Sequence, residues 1–457
     1  MTIQVVILAA GLGKRMHSHL PKVLHCLSGK SLLLHVVETA FVISPATQPV
    51  VVYGHQGKML RDALAHYSIR WVEQREQLGT GHALLQALPI IPDDTRVLIL
   101  CGDVPLITEQ TLNKLIHATP SHALGMLTAH LSNPAGYGRI KRDKHHHIID
   151  IIEEKDATED ERNIMEINPG IYFVPAHFLK KWLPLLNNKN VQSEYYLTGI
   201  IASAVQEHIP IHAVQPRRNE EIVGVNDRVQ LAHLERFYQH EQAEKLMHQG
   251  VTLRDPARID IRGEVRIGRD VVIDVNVIFE GRVVIGDECV IGANSILRDT
   301  ELGKRVEVKA HSIIEGAKIT DDCIIGPFAR IRPDTVLAEQ VHIGNFVEIK
   351  KSHIAKGSKV NHLSYIGDSD IGKHVNIGAG TITCNYDGIN KHKTIIEDNA
   401  FIGSCTQFVA PVTIGEGATI GAGSTITRDA PPHTLTLSRA PQQTIEGWQR
   451  PKKKDES

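Results

Sequence analysis

A glycine-rich turn near the start of the chain carries side chains that could bind a nucleoside triphosphate. The turn lies in the run Leu8-Ala9-Ala10-Gly11-Leu12-Gly13 and is followed by Arg15 and Lys22. Glycines that follow a strand let backbone N–H groups approach phosphates, and the two cations can offset the negative charge. The run matches neither a Walker A sequence nor the G-x-G-x-x-G fingerprint. Taken alone, it is explained as well by a simple tight turn.

Two further motifs could bind the base of a nucleotide and a metal ion. One is a second glycine turn preceded by an amide side chain, and the other is an aspartate at the end of a strand. Gln74 precedes Gly79 and Thr80, and an amide side chain beside a tight turn suits the edge and face of a pyrimidine. Asp103, after Gly102, follows an aliphatic run, at the carboxyl end of a strand, where α/β sheets bind ligands. Its carboxylate oxygen suits Mg²⁺ on a triphosphate. Taken alone, Asp103 could equally cap a helix or sit in a turn.

In the second half of the chain, a polar insertion and nearby cations could form an anion site. Residues 383–394 interrupt a regular repeat with polar, turn-forming residues, and loops extruded from rigid repeats commonly line binding sites. Arg332 and Lys350 lie 18 residues apart, one full turn of the repeat, so we expect them on one face. His362 lies between Lys350 and the insertion. Viewed singly, such a histidine is more often a surface residue.

The repeat itself is an aliphatic residue at every sixth position between Ile261 and Ile426. An aliphatic-Gly pair marks many of these hexads, and the residue two before the aliphatic one is usually small. Each hexad supplies one short strand with its aliphatic side chain inward, and three hexads close a triangular coil. The pattern predicts a parallel β-helix of about nine coils. A β-sandwich would instead alternate with period two, and the handedness does not follow from the period.

The first half has a different pattern, in which short aliphatic runs at residues 5–8, 50–52 and 97–100 are separated by helix-compatible segments. This pattern is typical of buried parallel strands in a Rossmann-like α/β sheet. Residues 227–249 contain neither Pro nor Gly and stop at Gly250, which predicts one linker helix about 34 Å long that acts as a spacer. The predicted domains are 1–226, a linker helix at 227–250, the β-helix at 251–437 and a C-terminal tail at 438–457.

Composition and charge exclude several broad classes of protein. Hydrophobic residues are 42% and charged residues 22% of the 457, which is typical of a folded globular chain. The formal charge of −2 lacks the basic excess of a general nucleic-acid or membrane-surface binder. No apolar run is long enough to span a membrane and no signal-type N-terminus is present, so we expect a cytoplasmic protein. The six cysteines form no C-x-x-C pair and are expected to be reduced thiols, most of them small packing residues.

Taken together, these motifs resemble those of the sugar-nucleotide pyrophosphorylases, followed by a hexapeptide-repeat domain. Over essentially its whole length the chain is similar to the bifunctional bacterial N-acetylglucosamine-1-phosphate uridyltransferase/glucosamine-1-phosphate acetyltransferase family. The resemblance implies a Rossmann-like nucleotidyltransferase domain, a linker helix and a left-handed parallel β-helix. It also implies acetyl transfer from acetyl-CoA to glucosamine 1-phosphate, then uridylyl transfer from UTP to N-acetylglucosamine 1-phosphate, giving UDP-N-acetylglucosamine and pyrophosphate.

The resemblance assigns roles to residues of the first half. Arg15 and Lys22 are expected to contact phosphates, and Asp103 with Asn226 to bind Mg²⁺. The remaining residues expected to bind UTP or the product are Leu8, Ala9, Ala10, Gly11, Gln74, Gly79, Thr80 and Gly102, together with the sugar-contacting positions Gly138, Glu153 and Asn168.

In the second half, the resemblance makes His362 the catalytic base and Glu348 the residue that orients or polarises it. A base is needed because amide formation from a thioester must remove a proton from the amine, and donors must stabilise the tetrahedral oxyanion. The expected sugar-phosphate residues are Arg332, Lys350, Tyr365, Asn376 and Lys391, with Asn385 and Tyr386 completing the sugar pocket beside acetyl-CoA. The residues expected to meet acetyl-CoA are Ala379, Ser404, Ala422 and Arg439.

Two positions depart from the family pattern. Lys14 stands where the family usually has Thr and adds a cation beside the triphosphate, which we expect to be harmless. Pro169 stands in place of the usual Thr between Asn168 and Gly170, and it removes a backbone donor near the sugar.

The sequence leaves two other functions open. The β-helix could be a non-catalytic assembly or regulatory module on a pyrophosphorylase, but such a module has no reason to carry His362 and the Asn385-Tyr386 loop. The whole chain could be a binding or scaffold protein, which the combination of Lys22, Asp103 and Asn226 argues against. The expected partners are the small-molecule substrates and two further copies of the chain in a homotrimer, with no nucleic acid and no membrane.

Overall fold

The computed structural model describes residues 2–451, so part of the predicted tail, residues 452–457, lies outside the described residues. The chain divides into two compact units with the boundary between Gln239 and His240. No helix within residues 2–451 is long and apolar enough to cross a membrane.

The described part of the first unit contains thirteen strands. In chain order they are β1 (Ile3–Ala9), β2 (Cys26–Leu27), β3 (Lys30–Ser31), β4 (Val50–Tyr53), β5 (Arg70–Glu73), β6 (Arg96–Cys101), β7 (Leu124–Leu127), β8 (Ala129–His130), β9 (Gly138–Arg142), β10 (Ile148–Ile152), β11 (Glu166–Asn168), β12 (Tyr172–Pro175) and β13 (Ile211–Val214).

Seven of these strands form the central sheet, in the order β13-β7-β12-β6-β1-β4-β5. The three predicted aliphatic runs lie in β1, β4 and β6, which pair in parallel, with Val6 opposite both Val50 and Ile99. The sheet is nevertheless mixed, because β12 runs antiparallel to both β6 and β7. A separate antiparallel sheet, β10-β9-β11-β8, carries the Gly138 and Asn168 positions and was not predicted.

Within residues 2–451, eight α-helices accompany the strands. They are α1 (Leu32–Ile43), α2 (Gly57–Ala63), α3 (Thr80–Ala87), α4 (Glu109–Ala118), α5 (Glu159–Arg162), α6 (Ala176–Trp182), α7 (Gly199–Gln206) and α8 (Arg228–His248), and short 3₁₀ turns span Lys14–Met16, Lys22–Leu24, Leu88–Ile90, Leu183–Leu185, Asn219–Ile222 and Pro256–Arg258.

Both faces of the central sheet are buried, because successive strand residues point to opposite sides. Val5 and Ile7 belong to one hydrophobic cluster, which includes Val36 of α1, and Val6 belongs to the other, which includes Leu84 of α3. This two-sided burial explains why the strands of the sheet appear in the sequence as continuous aliphatic runs. It also fixes the carboxyl ends of β1 and β6 side by side.

Helix α8 spans Arg228–His248, within the segment 227–250 predicted as the linker helix, and Gly250 follows it with φ +95°. Leu234 is fully buried in a cluster of the first unit with Met16, and Ala243 is fully buried in the hydrophobic core of the second unit. Each half of the helix therefore belongs to the unit beside it.

The second unit is a parallel β-helix. One face is an eleven-stranded parallel sheet made of Thr252–Leu253, Val272–Ile273, Val290–Ile291, Glu307–Val308, Ile324–Ile325, His342–Asn345, Lys359–His362, Asn376–Ile377, Phe401–Ile402, Thr419–Ile420 and Leu435–Thr436. We name three of these strands βA (His342–Asn345), βB (Lys359–His362) and βC (Asn376–Ile377). The first and last strands lie outside the 261–426 span, so nine remain within it, as the period predicts.

The other faces form one seventeen-stranded sheet. Its strands are Ile259–Ile267, Val277–Ile285, Ile296–Arg298, Glu301–Leu302, Ile313–Glu315, Ala317–Ile319, Arg330–Ile331, Thr335–Leu337, Glu348–Lys350, His353–Ile354, Tyr365–Gly367, Ser369–Ile371, Ile382–Cys384, Thr394–Ile396, Gln407–Val409, Val412–Ile414 and Thr425–Ile426. The periodic aliphatic residues fill the interior, where Ile331 and Ile349 stack in register and are fully buried. Such an interior makes the β-helix a rigid support for side chains on its surface.

Candidate functional site

A cavity of about 530 Å³ opens in the first unit at the ends of β1 and β6. Its walls contain most of the predicted nucleotide-binding residues, namely Leu8, Ala9, Ala10, Gly11, Arg15, Lys22, Gln74, Gly79, Thr80, Asp103 and Asn226. Lys14 and Cys101 also line it. The predicted positions Gly102, Gly138, Glu153 and Asn168 are not among the lining residues.

Lys22 joins the two predicted metal ligands inside this cavity. Its ammonium group bonds to the Asp103 carboxylate and lies 3.1 Å from the Asn226 amide oxygen. The Lys22 side chain is 11% exposed. The backbone at Gly13 packs directly against it: φ there is +60°, and an added Cβ would lie 2.6 Å from the Cβ of Lys22. Only glycine suits this turn, because any side chain there would collide with Lys22.

The turn before α3 is fixed by a segment from elsewhere in the first unit. Tyr195 accepts a hydrogen bond from the Gly81 N–H at 2.8 Å and donates its own N–H to Leu78 at 2.7 Å. Thr80 Oγ1 accepts the Leu197 N–H at 3.0 Å. Gln74 is 2% exposed, and its amide nitrogen contacts the Gly79 carbonyl at 3.1 Å. The turn and the amide are therefore held rigidly at the cavity wall.

The three predicted sugar-contacting positions converge on one another beside the small antiparallel sheet. Gly138 pairs with Asn168, and a Cβ at Gly138 would lie 3.6 Å from Glu153 Oε2 and 3.7 Å from Asn168 Cβ. Glu153 accepts a hydrogen bond from Thr198 Oγ1 at 3.1 Å, while Gly170 donates its N–H to the Asn168 side-chain oxygen at 3.1 Å. The proline at 169 leaves this local bond in place.

Burial changes the ionisation of two groups near this region. Desolvation raises the pKa of the Glu153 carboxyl above its ordinary value, and Thr198 opposes part of the rise. Desolvation and the neighbouring Asp103 raise the pKa of the Cys101 thiol to about 12. Cys101 is therefore a neutral thiol in the cavity wall at physiological pH, without the reactivity of a thiolate.

In the β-helix, charged side chains of neighbouring coils pair next to the predicted anion site. Arg332 donates to Glu348 at 2.9 Å, so the carboxylate that was expected to orient His362 is bonded to a guanidinium. The Lys350 ammonium lies 4.0 Å from Asp368, whose carboxylate also accepts from the Asn385 amide. Asp368 thus links the predicted sugar-phosphate residue Lys350 to the inserted loop.

Lys391 of the inserted loop lies close enough to Lys350 for the two ammonium groups to interact. The neighbouring positive group of Lys350 lowers the pKa of Lys391, because two like charges disfavour each other. Two lysines held together in this way form a site that favours an anion.

The inserted loop is internally braced by Asp387. Its carboxylate accepts from the backbone N–H groups of Ile389 at 2.8 Å and Asn390 at 2.6 Å and contacts the His392 ring at 2.7 Å. Isolated bridge pairing of Tyr386 with Lys391 closes the loop. The loop is therefore an ordered excursion from the coil, although Tyr386 is 60% exposed.

Comparisons with known proteins address the whole chain. Residues 5–193 match the MobA-like NTP transferase domain, residues 261–347 the GMPPB C-terminal domain, and residues 393–428 the bacterial transferase hexapeptide (six repeats). The bifunctional protein GlmU of Methylococcus capsulatus is 58% identical over 99% of this chain and 98% of its own length. The chain belongs to the bifunctional GlmU family.

Two further relatives have the same coverage of this chain. The GlmU proteins of Nitrosospira multiformis and Marinobacter nauticus are 56% and 53% identical over 99% of this chain and 98% and 99% of their own lengths. Among solved structures, a UDP-glucose pyrophosphorylase in complex with UDP-glucose is 16% identical, covers 53% of this chain and 100% of its own, and has a TM-score of 0.43. As a GlmU-family member, the chain is an N-acetylglucosamine-1-phosphate uridyltransferase and a glucosamine-1-phosphate acetyltransferase.

In this GlmU-family chain, His362 and three predicted acetyl-CoA residues form one column along a corner of the β-helix. The His362 carbonyl accepts from the Gly380 N–H at 3.2 Å, the Ala379 carbonyl from Cys405 at 2.7 Å and the Ser404 carbonyl from Gly423 at 2.8 Å. The Ala422 carbonyl accepts from Arg439 Nη1 at 2.8 Å. The column therefore holds the predicted base and the predicted acetyl-CoA positions on successive coils.

Sequence reasoning about this GlmU-family chain missed three residues that the structure places at the sites. Glu194 lines the cavity of the first unit, and no local motif marks it. Asp368 and Asn345 contact site residues of the β-helix. A signal for both was present, because Asp368 lies one coil, 18 residues, from Lys350, and Asn345 lies 17 residues from His362.

Proposed function

We propose that the two reactions use separate sites, with uridylyl transfer in the cavity of the first unit and acetyl transfer on the β-helix beside the inserted loop. One observation carries the proposal. Within the first unit, the ammonium of Lys22, a cation suited to bind phosphate, contacts the side-chain oxygens of Asp103 and Asn226. His362 and the inserted loop belong wholly to the second unit. We propose domain limits of 1–226 and 251–437, joined by the linker helix at 227–250.

In the first unit, the backbone of Gly11 and the side chains of Arg15 and Lys22 bind the triphosphate of UTP. Gln74, Gly79 and Thr80 hold uracil, helped by the rigid turn before α3. The other nucleotide contacts are Leu8, Ala9, Ala10 and Gly102, and the sugar contacts are Gly138, Glu153 and Asn168. The convergence of these last three residues supports the sugar assignment.

Asp103 and Asn226 fit a Mg²⁺ site. Their carboxylate and amide oxygens lie close to each other, since both contact the Lys22 ammonium, and hard oxygen donors are the ligands that Mg²⁺ prefers. Two protein ligands suffice, because Mg²⁺ usually retains waters and binds substrate phosphates. When bound, the ion supplies charge neutralisation on the phosphate oxygens.

In the reaction itself, a phosphate oxygen of N-acetylglucosamine 1-phosphate attacks the α-phosphorus of UTP in line. The bond from that phosphorus to the bridging oxygen breaks, and pyrophosphate leaves. Lys22 and Arg15 stabilise the charge that develops on the phosphate oxygens, and the Lys22 ammonium is already held in the cavity by its contacts. No protein nucleophile is required.

On the β-helix, Arg332, Lys350, Tyr365 and Lys391 hold the phosphate of glucosamine 1-phosphate, with Asn376 at the sugar. The contacts that Lys350 and Asn385 both make with Asp368 place Lys350 beside the inserted loop and support this assignment. Asn385 and Tyr386 lie between sugar and acetyl-CoA, and Ala379, Ser404, Ala422 and Arg439 bind acetyl-CoA. The shared column with His362 supports this assignment. Glu348 acts here through Arg332, whose guanidinium it holds.

For acetyl transfer, His362 takes a proton from the amino group of glucosamine 1-phosphate. The nitrogen lone pair attacks the thioester carbonyl, and the tetrahedral oxyanion is stabilised by donors such as Ser404. The carbon–sulfur bond then breaks, the amide forms, and the CoA thiolate accepts a proton. Acetylation precedes uridylyl transfer because the uridylyl site accepts the N-acetylated sugar.

We propose that the active enzyme is a cytoplasmic homotrimer. An exposed ladder on the β-helix surface supports assembly with further copies of the chain. In it the rings of His311 and Phe328 stack at 4.8 Å and those of Phe328 and Phe346 at 5.2 Å, and Leu363 continues the ladder at 64% exposure. Stacked exposed apolar groups of this kind are typical of protein interfaces. A persistent monomer in sedimentation experiments, with full acetyl transfer, would contradict the trimer.

The order and separation of the two reactions can be tested in one vessel. Purified protein is mixed with glucosamine 1-phosphate, acetyl-CoA, UTP and Mg²⁺, and free thiol and pyrophosphate are followed together. Omitting acetyl-CoA should stop both signals, and adding N-acetylglucosamine 1-phosphate should then restore pyrophosphate alone. Pyrophosphate released from glucosamine 1-phosphate without acetyl-CoA would contradict the proposed order.

A further inference from the structure

His362 has a hydrogen-bonding partner that neither its motif nor its local sequence indicates. The ring nitrogen Nδ1 lies 2.9 Å from the side-chain oxygen of Asn345. The two residues are register partners on the adjacent strands βA and βB. A carbonyl-type oxygen only accepts hydrogen bonds, so Nδ1 must carry the proton in this contact.

The position of Asn345 is fixed by the coil and not by its side chain. The Asn345 carbonyl accepts from the Leu363 N–H at 3.1 Å, directly after His362. Gly344 allows the two coils to approach at this point, because a Cβ there would lie 1.9 Å from the Asn361 carbonyl oxygen. The amide of Asn345 is therefore presented to the imidazole by rigid backbone.

The backbone of His362 is also fixed by hydrogen bonds. The ring can still rotate and can carry its proton on either nitrogen, so a side-chain contact must set both. Its carbonyl accepts from Ser364 Oγ at 2.8 Å and from Gly380 N–H at 3.2 Å. Asn345 lies one coil before His362 and Ala379 one coil after it, so Asn345 is on the side of the ring away from the acetyl-CoA column. Glu348 is bonded to Arg332 at 2.9 Å.

We propose that Asn345 is the positioning residue for the acetyl-transfer base, which it holds in the tautomer with a proton on Nδ1 and a free lone pair on Nε2. This inference rests on the proposed role of His362. A free Nε2 can accept the amine proton, whereas a ring with its proton on Nε2 cannot. Asn345 does not touch the reacting atoms, and its effect passes through the orientation of the ring.

The test replaces Asn345 by Ala and by Asp in the full-length chain. Asn345→Ala should lower kcat for acetyl transfer by roughly 10- to 100-fold, part of the 10²–10⁴-fold that a general base contributes. KM for glucosamine 1-phosphate and acetyl-CoA should change little, because neither substrate contacts residue 345. Uridylyl transfer should equal that of the unmodified protein, and an unchanged cooperative thermal unfolding transition would show that the β-helix of the variant is folded.

Asn345→Asp provides a readout that a purely structural role would not move. A carboxylate retains the acceptor but favours the protonated ring, so the acidic limb of the kcat profile should shift to higher pH. The charged group shown to interact with His362 is His342 on βA; βB also carries Lys359, and Asn376 of βC, opposite Lys359, is neutral. All of them are unchanged in the variant, so a shift reports residue 345.

A matched control exists elsewhere on the β-helix. The Asn276 side-chain amide donates to the Asn294 side-chain oxygen at 2.9 Å, between two adjacent coils. Asn294→Ala therefore removes a similar side-chain hydrogen bond away from His362. It should leave acetyl transfer unchanged. The inference is overturned if Asn345→Ala keeps the original kcat, or if Asn345→Asp leaves the pH profile unmoved, while His362→Ala abolishes acetyl transfer. Full acetyl transfer by His362→Ala would instead overturn the proposed function itself.

Discussion

The ammonium nitrogen of Lys22 lies 3.1 Å from the amide oxygen of Asn226, although 204 residues separate them in the chain. The same ammonium bonds to Asp103, so three segments meet at one charge. The contact joins the 3₁₀ turn Lys22–Leu24 to the end of β6 and to the segment that leads into α8. A cation held in this way is set before substrate arrives, which is what electrostatic stabilisation of a phosphoryl transfer requires.

Replacing Lys22 tests that charge. Lys22→Gln should lower kcat for uridylyl transfer by about 10²–10³-fold, the typical effect of losing one preorganised group that stabilises transition-state charge. Acetyl transfer should be unchanged. Lys14 lines the same cavity and provides the control, because Lys14→Thr removes a cation that contacts neither Asp103 nor Asn226 among the described residues. Equal losses in the two variants would mean that only the total charge of the cavity matters.

Asp387 should control the acetyl-transfer loop. Asp387→Ala removes the acceptor for the Ile389 and Asn390 N–H groups, so acetyl transfer should fall by roughly tenfold or more through loss of loop order. Asp387→Asn keeps one acceptor oxygen and should recover part of the activity. Uridylyl transfer serves as the internal control in both variants, and an unaffected acetyl transfer in Asp387→Ala would contradict the role of the loop.

The same carboxylate sets the pH dependence of the loop. The His392 contact and then the two backbone N–H groups depress the pKa of Asp387 below its ordinary value. Because the folded pKa is the lower one, its stabilisation is present above about pH 4, the ordinary Asp pKa, and is lost as the pH falls through the depressed value. Proteolytic nicking at the loop should therefore stay constant from about pH 5 upward and increase only in stronger acid.

Glu153 should show the opposite dependence. Burial raises its pKa, so its effect favours the folded state below the ordinary Glu pKa and is lost as the pH rises through the elevated one. Glu153→Gln removes the cost of ionisation and should raise Tm at pH 8, by about 2–4 °C for each kcal/mol, with a smaller gain at pH 5. Its uridylyl transfer should weaken through a higher KM for the sugar phosphate. A Tm gain independent of pH would contradict the ionisation argument.

The Arg332–Glu348 pair gives a prediction for the acetyl-transfer site. Arg332→Ala should raise KM for glucosamine 1-phosphate by about tenfold, because a charge-assisted contact with phosphate is lost. Arg298 is a matched control, since it also bonds across coils, to Glu280 and to Glu315 at 2.9 Å, and is assigned no substrate. Arg298→Ala should leave KM unchanged. Similar changes in both variants would indicate a general effect on the β-helix.

The features of the fold that follow from a repeating hydrophobic pattern could be predicted from the sequence. The six-residue repeat placed Ile331 and Ile349 in the interior, and the structure stacks them in register because three short strands per coil allow no other inward position. The aliphatic runs of β1, β4 and β6 were recognisable because both sheet faces are covered. The antiparallel direction of β12 was not, since strand direction depends on connections and leaves no mark on Tyr172–Pro175 itself.

Pairwise contacts between distant side chains were harder to predict. The motif around Asp103 indicated a ligand, but its contact with Lys22 depends on how two loops pack. Asn345 and Asp368 could have been found from coil spacing, whereas Glu194 could not, because it reaches the cavity on an irregular segment. The cysteines show the same limit. Cys289 and Cys323 are buried packing residues as expected, but Cys26, Cys384 and Cys405 are exposed.

The separation of the two sites is tested most directly by measuring both reactions in two reciprocal variants of the full-length protein. His362→Ala should abolish release of free thiol from acetyl-CoA while leaving pyrophosphate release from UTP and N-acetylglucosamine 1-phosphate intact. Asp103→Ala should do the converse. If either substitution silenced both reactions in protein that keeps its cooperative thermal unfolding, the division of the chemistry between the two units would be wrong.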